Sequence, residues 1–217
     1  GAMSVFPREF PSAMLRATLA LIPLTLVTAC GGLPPSTATL SVHDFGPLEA
    51  VAPEQADFPL RSVEVVPAPW LASNAMVYRL VHVQPTRRQA FKDNRWAAQP
   101  AQLVELVLKR GLHAGESALP AGGCRLRVDL DEFYQRFDSS QASRGSIEAR
   151  VALLAPRADQ PLAVRAFTLD HVAPTPDAAG GVLALRAATL QLDRDIRDWL
   201  RGLDGRVGAG VRARCGA

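Results

Sequence analysis

The sequence predicts an α/β fold: a single domain in which a mixed, largely antiparallel β-sheet carries two main helices packed on it. Three observations point there. Apolar and polar residues alternate in three successive stretches, Arg125 to Phe137, Gly145 to Leu154 and Leu162 to Asp170, the period-two signature of strands covered on one face. Two other stretches, Ala97 to His113 and Thr175 to Gly202, place apolar residues at helical spacing. Of the 217 residues, 48% are hydrophobic and 21% charged, enough apolar material for a core and far from a disordered composition.

Residues 1–29 read as an address rather than as fold. Gly1-Ala2-Met3 has the form of a tag remnant, and Met14-Leu15-Arg16 then opens an apolar run from Ala17 to Leu26. That run is too short to span a bilayer but suits the apolar core of a secretory signal. Val27-Thr28-Ala29-Cys30 looks like a bacterial lipobox, whose small residues fit a signal-peptidase cleft while the Cys30 thiol takes a diacylglycerol; an ordinary signal ahead of a chance cysteine is the plainer alternative. Two or three acyl chains, at about 0.8 kcal/mol per buried methylene, would anchor the protein to a membrane without spanning it. Gly31 is not the aspartate of an inner-membrane retention signal, so the expected location is the periplasmic face of the outer membrane. Residues 30–37 then form the lipidated N-terminus and a Pro/Gly/Ser/Thr tether.

The folded domain is expected over 38–203, with 204–217 as a tail. Ala38 to Phe45 reads as a first strand, Leu48 to Leu60 as a Pro-interrupted connection, Arg61 to Val66 as a β-branched strand stopped by Pro67 and Pro69, and Ala75 to Val83 as a strand apolar on both parities. A short strand near Arg88 to Phe91 returns beside it. In the first helix Pro100 sits early, where its missing N–H is harmless, and Leu103, Val104, Val107, Leu108 and Leu112 form one stripe ending at Gly115. The strand from Arg125 changes parity at Phe133, which implies a bulge near Asp131-Glu132. In the last helix Thr175 can cap, Pro176 fits the first position, and Val182, Leu185, Thr189, Leu192, Ile196 and Trp199 form a stripe that Gly202 stops. Arg186, Asp193, Arg194, Asp195, Arg197 and Asp198 read as its solvated face, and Arg206, Arg212 and Arg214 as a frayed basic tail.

Little in the chain suggests bond-making chemistry. With 24 Lys+Arg against 21 Asp+Glu, the net charge of +3 is too balanced for an electrostatic nucleic-acid clamp, and 6% aromatics are too few for a base-stacking surface, so no nucleic-acid partner is expected. His43, His82, His113 and His171 stand at no metal-ligand or catalytic spacing, Ser139, Ser140, Ser143 and Ser146 have no nucleophile elbow, and there is no Cys-x-x-Cys. Asp129, Asp131 and Glu132 could form a carboxylate cluster but are explained as a solvated strand face. No catalytic residue, metal or cofactor is expected. Cys124 and Cys215 remain as a pair in an oxidising compartment: either bridged, pinning the tail to the sheet, or with Cys124 a buried free thiol beside Leu126, Val128 and Leu130.

In order along the chain, the lipobox at Cys30, Phe45-Gly46-Pro47, Val65-Val66-Pro67-Ala68-Pro69-Trp70-Leu71, Asn94-Arg95-Trp96-Ala97-Ala98-Gln99-Pro100, the Leu126 to Phe133 strand, the Asp138 to Ser146 turn, and Asp177 to Gly181 followed by Ala184 to Ala188 resemble the ABC-type transport auxiliary lipoproteins, the PqiC-like group. Two departures stand out: Trp70 replaces a more usual tyrosine, and Leu71 to Met76 replaces an Asp-Arg-Pro-Gln stretch. The resemblance implies a non-catalytic outer-membrane lipoprotein that works with an ABC permease, a separate ATPase chain and an MCE-domain protein in moving lipids or hydrophobic compounds between the two membranes, docking the MCE protein at the outer membrane, and able to form a ring-shaped homo-oligomer. A periplasmic lipid-binding carrier, or an assembly factor for envelope polysaccharide or lipopolysaccharide export, are the alternatives. Trp70, Trp96 and Trp199 are the candidate contacts for a partner or an acyl chain; for Trp96 and Trp199 the plainer reading is helix-packing core.

Overall fold

The computed structural model describes residues 38–116, 122–206 and 210–216. Seven strands form one sheet: β1 (Ser41–His43), β2 (Leu60–Pro67), β3 (Ala75–Leu80), β4 (Gln89–Trp96), β5 (Cys124–Ser139), β6 (Ala142–Leu154) and β7 (Pro161–Val172). Its order is β1-β4-β3-β5-β6-β7, with β2 also on β5. The 16-residue β5 is the spine. One flank pairs antiparallel with β6 along its whole length, while the other is shared by two parallel strands, β2 against Cys124 to Leu130 and β3 against Gln135 to Phe137. Between those two partners the ladder slips, at the bulge between Leu130 and Glu132 that the parity change implies. The chain leaves β2 at Pro67 and turns over this bulge through a single 3-10 turn, Pro69–Leu71, before entering β3.

The expectation of two main helices on a largely antiparallel sheet is corrected. Strands hold more residues than helices, the sheet is open, and the helical layer is mainly one helix. That helix is α2 (Ala178–Arg206), 29 residues long, whereas α1 (Pro100–Leu112) has 13 and α3 (Val211–Arg214) four. The periodic signal of α1 starts three residues before the helix does, because Gln99 remains extended with its N–H donating to the Gln102 side chain, and His113 closes the helix in a left-handed conformation. Three of the six strand pairings are parallel, because β2 and β3 enter β5 from the same direction after separate connections.

At the start of α2 the cap is Asp177, not Thr175: its carboxylate accepts the Gly180 N–H at 2.8 Å, and Thr175 Oγ1 donates to that same carboxylate. The helix also runs past Gly202 to Arg206, because Leu203 is buried and tertiary packing outweighs the roughly 1 kcal/mol that an interior glycine costs. Leu103, Val104, Val107, Leu108 and Leu112 of α1 and Val182, Leu185, Leu192, Ile196 and Trp199 of α2 all face one side of the sheet. They meet Leu126, Val128, Leu130 and Phe133 of β5 and the odd-numbered Ile147 to Leu153 of β6. Among the described residues the other side of β5, β6 and β7 carries no helix, and charged and exposed side chains collect there.

Candidate functional site

The open side of the sheet is most elaborated over the β5 bulge. Trp70 lies in the Pro69–Leu71 turn, 53% exposed, and its indole N–H donates to the Asp131 carbonyl at 3.0 Å, a carbonyl that the bulge leaves without a regular ladder partner. The Arg88 guanidinium lies 5.2 Å from the Trp70 ring centroid and donates two hydrogen bonds to the Glu132 carboxylate, one of them 2.9 Å. Arg79 stands 3.6 Å from the same carboxylate, 5.3 Å from the Tyr134 ring centroid. Trp70, Arg88, Glu132, Arg79 and Tyr134 therefore alternate aromatic, cation, anion, cation, aromatic. Burial pushes the Tyr134 phenol above its ordinary value, against the pull of Arg79.

Beside this row Arg150 forks onto Asp131 at 2.7 and 2.9 Å, and that hydrogen bonding holds the Asp131 carboxyl below the usual carboxylate range. Arg127 pairs with Asp129 at 2.9 Å. Asp129, Asp131 and Glu132, the carboxylates that could have formed a reactive cluster, are each engaged by arginine rather than by one another. Further along, Asp129, Arg150, Ala152, Val164, Arg165 and Ala166 line a shallow depression of about 420 Å3. Arg88 and Glu132 are 44 residues apart in sequence, so no local spacing revealed their pairing with Trp70. Nor did the strand patterns single them out, since Arg79 lies in a stretch apolar on both parities and Glu132 at the bulge where parity changes.

Of the three tryptophans only Trp70 offers a surface. Trp96 is 1% exposed, edge-on to Phe45 and Phe133 with both centroids at 5.7 Å, and Trp199 is buried against Phe167 at 6.2 Å, so neither faces a groove. Cys124 and Cys215 are joined by a disulfide with Cα atoms 4.7 Å apart, both fully buried. The expected frayed tail is corrected over 210–216: Val211 is buried and Arg212 donates to the Asp57 carbonyl at 2.6 Å with its guanidinium over the Phe58 ring. The solvated face of α2 is corrected too, since Asp193 and Arg197 pair at 3.0 Å with side chains 4% and 11% exposed. His82 belongs to the turn after β3, where its Nδ1 lies 3.1 Å from the Phe137 carbonyl. The lipobox residues Val27, Thr28 and Ala29, with Cys30, lie outside the described residues. Among the described residues no group of three or more His, Cys, Asp and Glu could hold a metal ion, and no helix is long and apolar enough to cross a membrane.

The site is thus an open sheet face of stacked, ion-paired side chains, opposite the face that α1 and α2 cover. The family model for the ABC-type transport auxiliary lipoprotein component matches residues 40–197, and the chain belongs to that family. At family level it is a transport-associated protein of the periplasm and its membranes. The fold is similar to that of protein XCC0632 from Xanthomonas campestris, with TM-score 0.63 and 18% identity over 76% of this chain and 99% of that one. It is also similar to an uncharacterized protein, with TM-score 0.54 and 20% identity over 75% and 99%. Both likenesses concern fold alone. The curated proteins contain no match.

Proposed function

We propose that the chain is a non-catalytic lipoprotein subunit of an ABC transport system in which an ATPase, a permease and a periplasmic MCE-domain protein move lipids or hydrophobic compounds between the inner and outer membranes. Cys30 carries the acyl chains, residues 31–37 are the tether, and the domain that follows docks the MCE protein at the periplasmic face of the outer membrane. The observation that supports this reading is the family match across 40–197, on a domain whose open face presents Trp70 stacked with Arg88. An exposed tryptophan fixed by a hydrogen bond and a guanidinium is preorganised for a partner, since little side-chain freedom is left to lose on binding.

The test is co-purification from a double-membrane bacterium expressing the chain with its own signal, alongside an MCE-domain protein of the same organism. The docking reading expects a Cys30-lipidated N-terminal peptide by mass spectrometry and a stable complex. Trp70→Ala should weaken that complex by about tenfold or more while leaving thermal stability near wild type. A monomer carrying stoichiometric phospholipid and no MCE partner would overturn docking in favour of a carrier.

A further inference from the structure

Three arginines stand directly opposite one another near one end of the strands. Arg79 of β3 is in register with Arg136 of β5, and Arg136 with Arg144 of β6. They lie on the open face, where Arg136 follows Glu132 and Tyr134 in parity and Arg79 lies over the Tyr134 ring. Arg88, the residue before β4, extends the row, because its neighbour Gln89 pairs with Tyr78. Like charges directly opposite each other weaken a sheet, so strand pairing alone gives no reason for this row.

Its own carboxylates do not neutralise it. Glu132 is shared by Arg79 and Arg88, and Asp138 by Arg136 and Arg144 at 2.9 and 2.8 Å, so four guanidiniums face two carboxylates. Asp170, one level further in, already accepts from Ser146. Asp138 meets Arg136 and Arg144 at Nε, and among the described residues the Nη groups of neither make a hydrogen bond. Their side chains are 41% and 40% exposed. Asp138 thus holds two guanidinium forks side by side with their Nη groups unused.

We propose that Arg136 and Arg144 seat phosphate groups of anionic membrane lipid, so that this end of the sheet rests on the bilayer surface. Guanidinium forks match phosphate oxygens in geometry as well as charge. The row crosses β4, β3, β5 and β6, roughly 14 Å at the usual strand spacing, which suits a charged surface better than a single small anion. The turn after β3 lies at the same end, since Leu80 pairs with Phe137, and it presents Val83, 70% exposed, close to an exposed Arg87. An apolar tip beside basic side chains is the pattern of an interfacial segment. The chain also enters from this end: β1 runs parallel to β4, and β4 leads away from the row. Cys30 stands eight residues before Ala38, at most about 29 Å of extended chain. The orientation rests on the reading of Cys30 as the lipid anchor, whereas the seat rests on the arginines.

The test uses the chain exported with its own signal and vesicles of phosphatidylethanolamine, alone or mixed with phosphatidylglycerol. The mass of the N-terminal peptide reports whether Cys30 carries lipid, so failure of the anchor is read separately from failure of the seat. Hydrogen exchange reads the seat. Amides of the turns at Val81 to Arg87 and Ser139 to Ala142 should exchange about tenfold more slowly on phosphatidylglycerol vesicles than on phosphatidylethanolamine alone. The turn at Ala155 to Gln160, at the other end of β6, should be unchanged. High salt should remove the slowing. So should Arg136→Gln with Arg144→Gln, and so should Ser140→Glu with Gln141→Glu, which adds negative charge in an exposed turn and leaves the arginines in place. If the arginine variant melts below wild type, the glutamate variant decides. No slowing on phosphatidylglycerol, equal slowing on both vesicles, or slowing that survives these substitutions overturns the proposal. Loss of the slowing on adding inorganic phosphate at matched ionic strength would make a soluble phosphate the ligand and overturn the membrane seat.

Discussion

Asp193 shows how far a single side chain can depart from what its neighbours in sequence suggest. Flanked by Arg194 and Asp195, it reads as part of a solvated helix face, yet α1 crosses α2 at this point with Gly111 against the carboxylate, where any Cβ would collide with it. Arg197 donates to Oδ2 at 3.0 Å while Oδ1 has no partner among the described residues. Burial pushes the carboxyl up to about 6, against the pull of Arg197. Its folded value thus stands above the unfolded value of about 3.9. The folded state takes up a proton that the unfolded chain releases, so stability grows as pH falls through 6 and the gain is absent above it. His113, held in its charged form by Glu116 and the Val51 carbonyl, has a raised folded value and acts in the same direction: its contribution is present below about 6.5 and lost as pH rises. Asp193→Asn separates the two. Between about pH 7.5 and about pH 5, wild type should gain roughly 1–3 kcal/mol more than the variant in denaturant unfolding; identical pH profiles would remove Asp193 as the source. Only the crossing helix makes this residue special, and no spacing within α2 encodes where another helix will cross.

At the scale of elements, the stripes of α1 and α2 were legible because each helix buries one continuous face, and the bulge in β5 was legible because parity changes there. Strand partners were not. β2 and β3 are separate in sequence and both lie parallel to β5, an arrangement set by the connection over the bulge rather than by either strand's own pattern. The contact between α2 and β6 was also invisible, because it rests on an absent side chain. Gly145 of β6 passes so close beneath α2 that a Cβ would lie 2.7 Å from the backbone of Ala184 and Leu185. Main chain cannot rotate away as a side chain can. Gly145→Ala should therefore lift the helix and cost about 1–3 kcal/mol, read as a lower urea midpoint with an unchanged slope. Gly46→Ala is the control: Gly46 has φ +63° but open space around it, so only backbone strain of about 1–2 kcal/mol is expected. Equal and negligible losses in both variants would show that α2 can shift on the sheet without penalty.

For the molecule as a whole, the layer arrangement follows from amounts of strand and helix that local patterns undercount. β4 runs five residues beyond the short strand expected near Phe91, and β5 and β7 each gain residues at their ends, so the sheet outgrows the helical layer. One long helix and one short one then cover a single side, and the uncovered side carries the exposed Trp70. What ties the end of this chain to its middle is the Cys124–Cys215 bridge. It joins the first residue of β5 to the residue after α3 across a sequence separation of 91, a span that holds β5, β6, β7 and α2. Closing so long a loop removes much of the unfolded chain's freedom, and losing such a bridge typically costs about 2–5 kcal/mol. Cys215→Ala should lower the unfolding free energy by that amount. Reductant should produce the same loss in wild type and no further loss in the variant, which separates the bridge from the side-chain change. The loss should also be accompanied by loosening of α3, which the buried Val211 and the contacts of Arg212 with Asp57 and Phe58 also hold, and faster amide exchange over 210–216 would report it. If reductant leaves both the unfolding curve and that exchange untouched, the tail is held by packing alone and the two cysteines contribute as buried thiols.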